Sequence, residues 1–549
     1  MPLPLLVALA TYTSHARASP HIWPSPKLDA LESARFDQFG FNAGIMPGFI
    51  QPCDSFLFAD DTGRSNAADW IRTAYHDMAT HSTTDGTGGL DASIRLDAEM
   101  DRPENAGDGF RNTFIIVSGV TNRYLGIADA LALAAVVAIE NCGGPEIAYR
   151  GGRIDAIEAN TPGVPEPQQD LRSHIASFAR QGCTQTEMIS LVACGRVSLH
   201  SFGGVQHDPF PNIVDELNDP ENTDDIAHFD TTFVHFDNNV ATEYISGTTQ
   251  NPLVVGFNDT TNSDKRIFGN DGNATMRSFA DSPSLFTSTC AELFARMIDT
   301  VPSGVQLTDV ITPLPVKPDN VELTMVNDTI RLSGQVRLWN TDQASAGTVG
   351  VLWDDHLGGQ GNTTFAFAGT ASSIGGKYNS VWYGFNAITP FGFIGLDAAA
   401  GIERFRFVVN GKLEDREGVG FEVQDAYMFS LTSCLYSLNG GEDPLRLDVA
   451  VRNDVNPTRI YAESLVFDGF GRPTIAETDI PRPDQPVAIN AAYSLWSLNA
   501  SAIDLGDVTI GAEIDGKRYS TVQRRSVLLF PSCDGGISGP TQPGQGLEL

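Results

Sequence analysis

Asp69-Trp-Ile-Arg-Thr-Ala-Tyr-His-Asp-Met-Ala-Thr80 sets an Arg, a His and an Asp within six positions of a segment with helical periodicity. Residues four apart share a helix face, so Arg72 and His76 are expected to project together into one cavity, with Ile71, Tyr75 and Met78 packed behind or beside them. A neutral imidazole held there takes up a proton and returns it. A fixed guanidinium beside it stabilises negative charge as that charge develops. Taken alone the pair is commonplace on solvated helices, so the blocks that follow carry the argument.

Four blocks follow one another in order: Arg-x-x-x-His-Asp at Arg72, His76 and Asp77; Gly88-Gly-Leu-Asp-Ala-Ser-Ile94; Glu104-Asn-Ala-Gly107; and Asn141-Cys-Gly-Gly-Pro-Glu-Ile-Ala-Tyr-Arg-Gly-Gly-Arg-Ile-Asp155. From about Cys53 to about Pro302 the chain resembles the plant, fungal and bacterial haem peroxidase superfamily, most of all its secreted fungal members. The resemblance implies a mainly helical domain holding haem b, with hydrogen peroxide as one substrate and a small reducing compound as the other. It implies that His76 shuttles the peroxide proton, Arg72 stabilises O–O heterolysis and Asn105 accepts a hydrogen bond that keeps His76 basic. Tyr75 would lie against the cofactor where relatives carry Phe or Trp, and a phenol there could hydrogen-bond or be oxidised. A calcium ion would be held by Asp77, the Gly89 carbonyl, Asp91 and the Ser93 hydroxyl, the hard oxygen donors such an ion requires. Cys53 and Cys142 match the positions of a bridge in secreted fungal peroxidases.

Such an enzyme needs a second His on the iron. Glu187-Met-Ile-Ser-Leu-Val-Ala-Cys-Gly195 is similar to the helix that delivers it, yet Arg196 stands where the His would follow. His200-Ser-Phe-Gly-Gly-Val-Gln-His207 is similar to the segment that begins with the ligand, so the chain carries four extra residues, Arg196-Val-Ser-Leu199. Four residues make about 400° of helical rotation and a rise of ~6 Å, so the ligand's azimuth can survive if the helix shifts. His200 is the expected iron ligand and His207 the reserve. Ser201 is where a second calcium would be placed. Asp264, in Asn262-Ser-Asp264, matches the carboxylate that accepts the ligand imidazole's other N–H.

Other family specialisations are absent. Manganese-oxidising relatives carry carboxylates seven and eleven positions before the distal His, and here Asp69 and Ser65 occupy those positions. Apart from Trp23, only Trp70 is a tryptophan in the N-terminal half, which offers little for a surface-tryptophan electron relay. Sixteen residues after His200 stands Glu216 rather than the Trp of cytochrome c peroxidase.

Charge and cysteines bound the setting. With 68 acidic against 35 basic residues the formal net charge is −33, which argues against nucleic acid and anionic membrane surfaces as partners. The apolar start Met1–Ala10 and the small-x-small site Ala16-Arg-Ala18 read as a signal peptide over residues 1–18. No later apolar run approaches the ~18 residues a spanning helix needs. Five Asn-x-Ser/Thr sequons, at Asn258, Asn273, Asn327, Asn362 and Asn499, agree with a secreted glycoprotein. The seven cysteines show no CxxC spacing, so disulfides are expected rather than a metal centre. One thiol must stay unpaired, and the pairing of Cys183, Cys194, Cys290, Cys434 and Cys533 stays open.

Residues 19–52 are Pro-rich and read as an irregular arm. The helical domain is expected over 53–311, with a buried helix from Ile127 to Ile139, a capping box at Thr184 and Glu187, and an amphipathic helix from Leu285 to Ile298. After a linker at 312–318 the period changes to two, with a hairpin turning at Asn327-Asp-Thr329, so two β-sandwich-like domains are expected over 319–434 and 435–535, then a tail over 536–549. The expectation is a secreted, monomeric haem peroxidase with small phenolic or aromatic donors. Two alternatives stand beside it: a haem-binding scaffold with weakened catalysis, and a cell-wall or carbohydrate-binding protein acting through its β-domains.

Overall fold

The computed structural model describes residues 25–195, 203–436, 444–501, 507–520, 525–526 and 530–533. The expected signal peptide, the insertion Arg196–Leu199, His200, Ser201 and the expected tail lie outside the described residues.

The helical half is built round Ile127–Asn141, whose fifteen residues are all buried. A helix this apolar is stable only when wrapped by others, and its two acids are paired, Asp129 with Arg153 and Glu140 with Arg35. The helix Asn66–Met78 packs directly on it, and Pro283–Asp299 packs on Gln185–Gly195. The capping box forms as expected: Glu187 N–H donates to Thr184 Oγ1 at 3.2 Å, and Thr184 N–H donates to the Glu187 carboxylate at 2.8 Å. Cys53–Cys142 forms as the family resemblance implied, Cys194–Cys290 ties the helices Gln185–Gly195 and Pro283–Asp299 together, and Cys434–Cys533 closes in the β-region. Cys183 is the free thiol.

The arm is not irregular. Pro26–Phe36 is a helix, with Ser25 as its cap accepting from Leu28 N–H and Pro26 in its first turn, where a missing N–H costs nothing. Phe39–Gly40 then pairs with the edge strand Ala366–Ser373. Proline richness was misleading because its position, not its number, decides whether a helix starts.

The β-half departs from two separate sandwiches. Among the described residues one eleven-stranded sheet runs from Phe39–Gly40 through Thr329–Trp339 and Val316–Val326, across the parallel pairing with Tyr427–Ser430, to Pro444–Arg452 and Tyr493–Ser501. A five-stranded sheet centred on Arg404–Val409 and Val349–Asp354 and another centred on Arg459–Phe467 and Asp507–Ile514 complete the region. The division expected at residue 434 therefore falls inside a continuous sheet. Side chains alternate across a strand, and here Met428 and Ala450 enter one apolar core while Tyr427, Phe429, Val449 and Val451 enter the other. The shared sheet is thus buried on both faces where the two cores meet. The expected linker is also shorter than read, because Val316–Val326 is already strand and Lys317 is fully buried.

That burial is electrostatic as well as apolar. Lys317 and Arg337 from the sheet reach Glu32 of the arm helix, Lys317 at 2.6 Å, and Arg337 also pairs with Asp37 at 2.6 Å. Burial drives the Glu32 carboxyl up, but Arg337 and Lys317 outweigh it and hold its pKa below the ordinary range. Further along, Arg123 pairs with Glu463 at 2.6 Å. The helical and β halves are therefore joined by buried charge as well as by chain.

Candidate active site

Ser65 caps the helix Asn66–Met78 by accepting from Ala68 N–H at 3.1 Å, and the helix carries Arg72 and His76 inward together. His76 is fully buried. Its Nδ1 lies 2.8 Å from Oδ1 of Asn105, while its Nε2 has no hydrogen-bond partner among the described residues. Asn105 in turn donates from Nδ2 to the Glu99 carbonyl at 2.9 Å, which turns its oxygen towards the imidazole. An acceptor oxygen at Nδ1 puts the proton there and leaves the lone pair on Nε2. Burial first, and the Arg72 charge second, push the His76 pKa well below its usual value, so the ring is a neutral base at ordinary pH.

Arg72 donates from Nη2 to the Ala106 carbonyl at 2.8 Å, and its guanidinium lies over the Phe110 ring at 4.4 Å and the Phe210 ring at 5.8 Å. Its Nε has no partner among the described residues. Burial lowers its pKa to about 10, with Asp69 opposing, so it remains a cation at neutral pH. Gly107 has φ +94°, and a Cβ built there would stand 3.5 Å from Arg72 Nη1 and 3.7 Å from Pro209. Those are ordinary contacts, so it is the left-handed backbone rather than crowding that favours glycine in the turn presenting Asn105 and Ala106.

Tyr75 is buried, 6.1 Å edge-on to the His76 ring, with its ring centroid 6.3 Å from that of Phe178 and its hydroxyl 3.5 Å from Gln181 Oε1. Asp264 is buried on Ser263–Phe268 and accepts from Asn251 Nδ2 at 2.8 Å; burial raises its pKa to about 6. Its expected partner His200 lies outside the described residues. His207, the reserve ligand, has Nδ1 2.8 Å from the Val214 carbonyl of its own loop.

The expected calcium ligands do gather, but around hydrogen-bond donors. Asp77 accepts from the backbone N–H groups of Asp91, Ala92 and Ile94 and from the Ser93 hydroxyl. Asn160 Nδ2 stands 3.1 Å from both Asp91 carboxylate oxygens, 2.8 Å from Ser93 Oγ and 3.3 Å from Thr80 Oγ1. Gly89 N–H donates to Thr80 Oγ1 at 3.2 Å. Among the described residues no group of three or more His, Cys, Asp or Glu side chains is arranged to hold a metal ion. Burial, then Asp91 and Glu99, push the Asp77 carboxyl well above its usual pKa, and burial takes Glu99 to about 7. As it stands this donor set does not fit calcium, because the Asn160 amide nitrogen, which is not a ligand for a hard cation, is the group that Asp91 and Ser93 surround.

Sequence reasoning missed Asn160 and Arg64. Neither belongs to a local motif, and both act across the chain, Asn160 on residues 67 and 69 positions away and Arg64 on Asp108.

A buried histidine one turn from a half-buried arginine, tied to an asparagine, on a helix packed against a largely apolar one, defines the distal side of a peroxidase fold. Residues 56–297 match the family model described as Peroxidase, and this part of the chain belongs to the plant, fungal and bacterial haem peroxidase superfamily. The chain is 35% identical over 382 residues to a WSC domain-containing protein of Arthroderma benhamiae, covering 68% of this chain and 51% of that one. It is 34% identical over 131 residues to the peroxisomal L-ascorbate peroxidase 5 of Arabidopsis thaliana, 24% of this chain and 47% of that one. It is 32% identical over 127 residues to a putative heme-binding peroxidase of Aspergillus fumigatus, 22% and 39% respectively. The chain thus spans about half, or less, of the length of these relatives.

Proposed function

We propose that the protein is a secreted haem peroxidase that reduces hydrogen peroxide and oxidises small, phenolic or otherwise aromatic, donors by one-electron steps. The observation that carries this is the lone pair of His76 Nε2, held free beside Arg72 by the Asn105 hydrogen bond. His76 takes a proton from hydrogen peroxide at Nε2 and delivers it to the departing oxygen, a role worth about 10²–10⁴ in rate. Arg72 stabilises the charge growing on that oxygen, worth about 3–4 kcal/mol by analogy with a removed oxyanion donor. The orphaned Nε2 of His76 and Nε of Arg72 suit a cavity meant to face a bound group. His200 would hold the iron, and Asp264 would accept from its imidazole. Haem, when bound, supplies the iron and the redox equivalents that no side chain here has.

Three disulfides support an oxidising compartment. Ascorbate and haem appear in the names of relatives, and those names describe the relatives. The test is an absorption spectrum of the haem-loaded chain before and after peroxide, in the native protein and in His76→Leu. A Soret band that peroxide leaves unchanged would point instead to a haem-binding scaffold with weakened catalysis.

A second reading, in which the β-region binds cell-wall polysaccharide, is favoured by the loop before Ile394–Asp397. It exposes Ile388 (91%) and Phe391 (77%) to solvent. Retention of the full chain on insoluble polysaccharide, lost in Phe391→Ala, is its test.

A further inference from the structure

We propose that the charge around the crevice leading to Arg72 selects reducing substrates, favouring the approach of neutral donors and turning away anionic ones. This rests on the peroxidase reading above and names the donor class for the same site. The crevice has a volume of about 60 Å³ and is lined by Arg64, Asp69, Arg72, Asp108 and Phe210 together with glycines at 63, 107, 109, 203 and 204. At its mouth the Arg64 guanidinium meets three carboxylates from three parts of the chain: Asp108 at 2.7 Å, Asp69 at 3.3 Å and Asp224 at 3.6 Å.

Arg64 stands where the carboxylates converge, so it takes up their lone pairs and fixes their directions. Asp208 lies near enough to act electrostatically on Asp224. Asp69, Asp108, Arg64 and Arg72 line the passage and balance one another, and two further carboxyls stand around it, Asp224 paired with Arg64 and Asp208 acting on Asp224. Asp69 sits in the first turn of Asn66–Met78 and Asp108 directly precedes Gly109–Val117, so both offset the positive ends of those helices. The sum leaves the mouth negative, within a chain of net charge −33. Low-dielectric walls focus such a field and can change the local concentration of a charged solute by about tenfold or more. Hydrogen peroxide is neutral and is unaffected. Burial raises Asp69 to about 6 against the pull of Arg64 and Arg72, while Arg64 overcomes burial and holds Asp108 low, so both carboxyls are mainly ionised at neutral pH.

A matched pair of donors tests this: catechol, and protocatechuate, which is the same ring bearing a carboxylate. The haem-loaded full chain is assayed for kcat/KM with each at about 10 mM and about 0.5 M salt, where the Debye length falls from ~30 Å to a few Å. Protocatechuate should be disfavoured by about tenfold or more at low salt, and the gap should close at high salt. Asp224→Asn should narrow the low-salt gap severalfold. Arg64→Gln should widen it, a change of opposite sign that loss of folding does not produce. Equilibrium dialysis of both compounds against the unloaded protein gives a second readout, with the same order of binding expected. A protocatechuate-to-catechol ratio insensitive to salt, Asp224→Asn and Arg64→Gln overturns the charge filter even if turnover is high. If neither donor is turned over, the peroxidase reading fails; equal binding of the two compounds by dialysis then overturns the filter separately.

Discussion

Asn105 stands 29 residues from His76 in sequence, yet its Oδ1 lies 2.8 Å from the imidazole Nδ1. That one contact fixes the tautomer, and the tautomer decides which nitrogen can receive a proton. Asn105→Ala should therefore leave haem uptake intact while slowing the reaction with hydrogen peroxide by about 10- to 100-fold. His76→Leu should slow it by about 10²–10⁴ or more. Stopped-flow absorbance at the Soret band measures both, and an Asn105→Ala rate equal to that of the native protein would remove Asn105 from the site.

The acidity of His76 gives a pH prediction with a definite sign. A base works when unprotonated, and burial together with Arg72 holds this ring well below its ordinary pKa. The rate with peroxide should stay level from neutral pH down past the usual histidine range and fall only in stronger acid. In Arg72→Leu one of the two depressing causes is gone, so the acid limb should move to higher pH. A limb that moves to lower pH in that variant would contradict the assignment.

Asn160 supplies the test for metal dependence. With its amide among Asp91, Ser93 and Thr80, thermal stability should be indifferent to a calcium chelator. Asn160→Leu should lower stability by about 1–3 kcal/mol, because it strips buried acceptors of their donor. A melting temperature that drops several degrees on chelation and returns with added calcium would reinstate the ion.

The junction between the two halves is the place where a single change should be most damaging to stability. Arg337 is fully buried between Glu32 and Asp37. Arg337→Met leaves both acids buried without their cation, which costs about 3–5 kcal/mol. Urea unfolding measures it. A loss under 1 kcal/mol would mean that the acids re-pair or take up protons at no cost.

The sequence disclosed those parts of the structure that local rules govern. The largely apolar run from Ile127 to Ile139 and the Thr184–Glu187 capping box are visible because helix period and cap chemistry act over a few residues. Arg72 and His76 share a face for the same reason. The hairpin at Asn327 was equally legible, since its flanking strands Val316–Val326 and Thr329–Trp339 alternate in hydrophobicity. The arm helix is not legible in the sequence because a proline in the first turn looks, in composition alone, like a proline that breaks structure.

What the chain determines by itself is therefore which residues lie on which face of which element, and hence the pairing of an acid–base group with a cation on the helix Asn66–Met78. Only the tertiary structure decided that Asn160 stands among the expected calcium ligands, that Arg64 gathers three carboxylates at the mouth of the crevice, and that one sheet serves two cores. Periodicity is a property of neighbours along the chain. Hydrogen-bond satisfaction and charge balance are set by groups dozens of residues apart, which meet only once the core has closed.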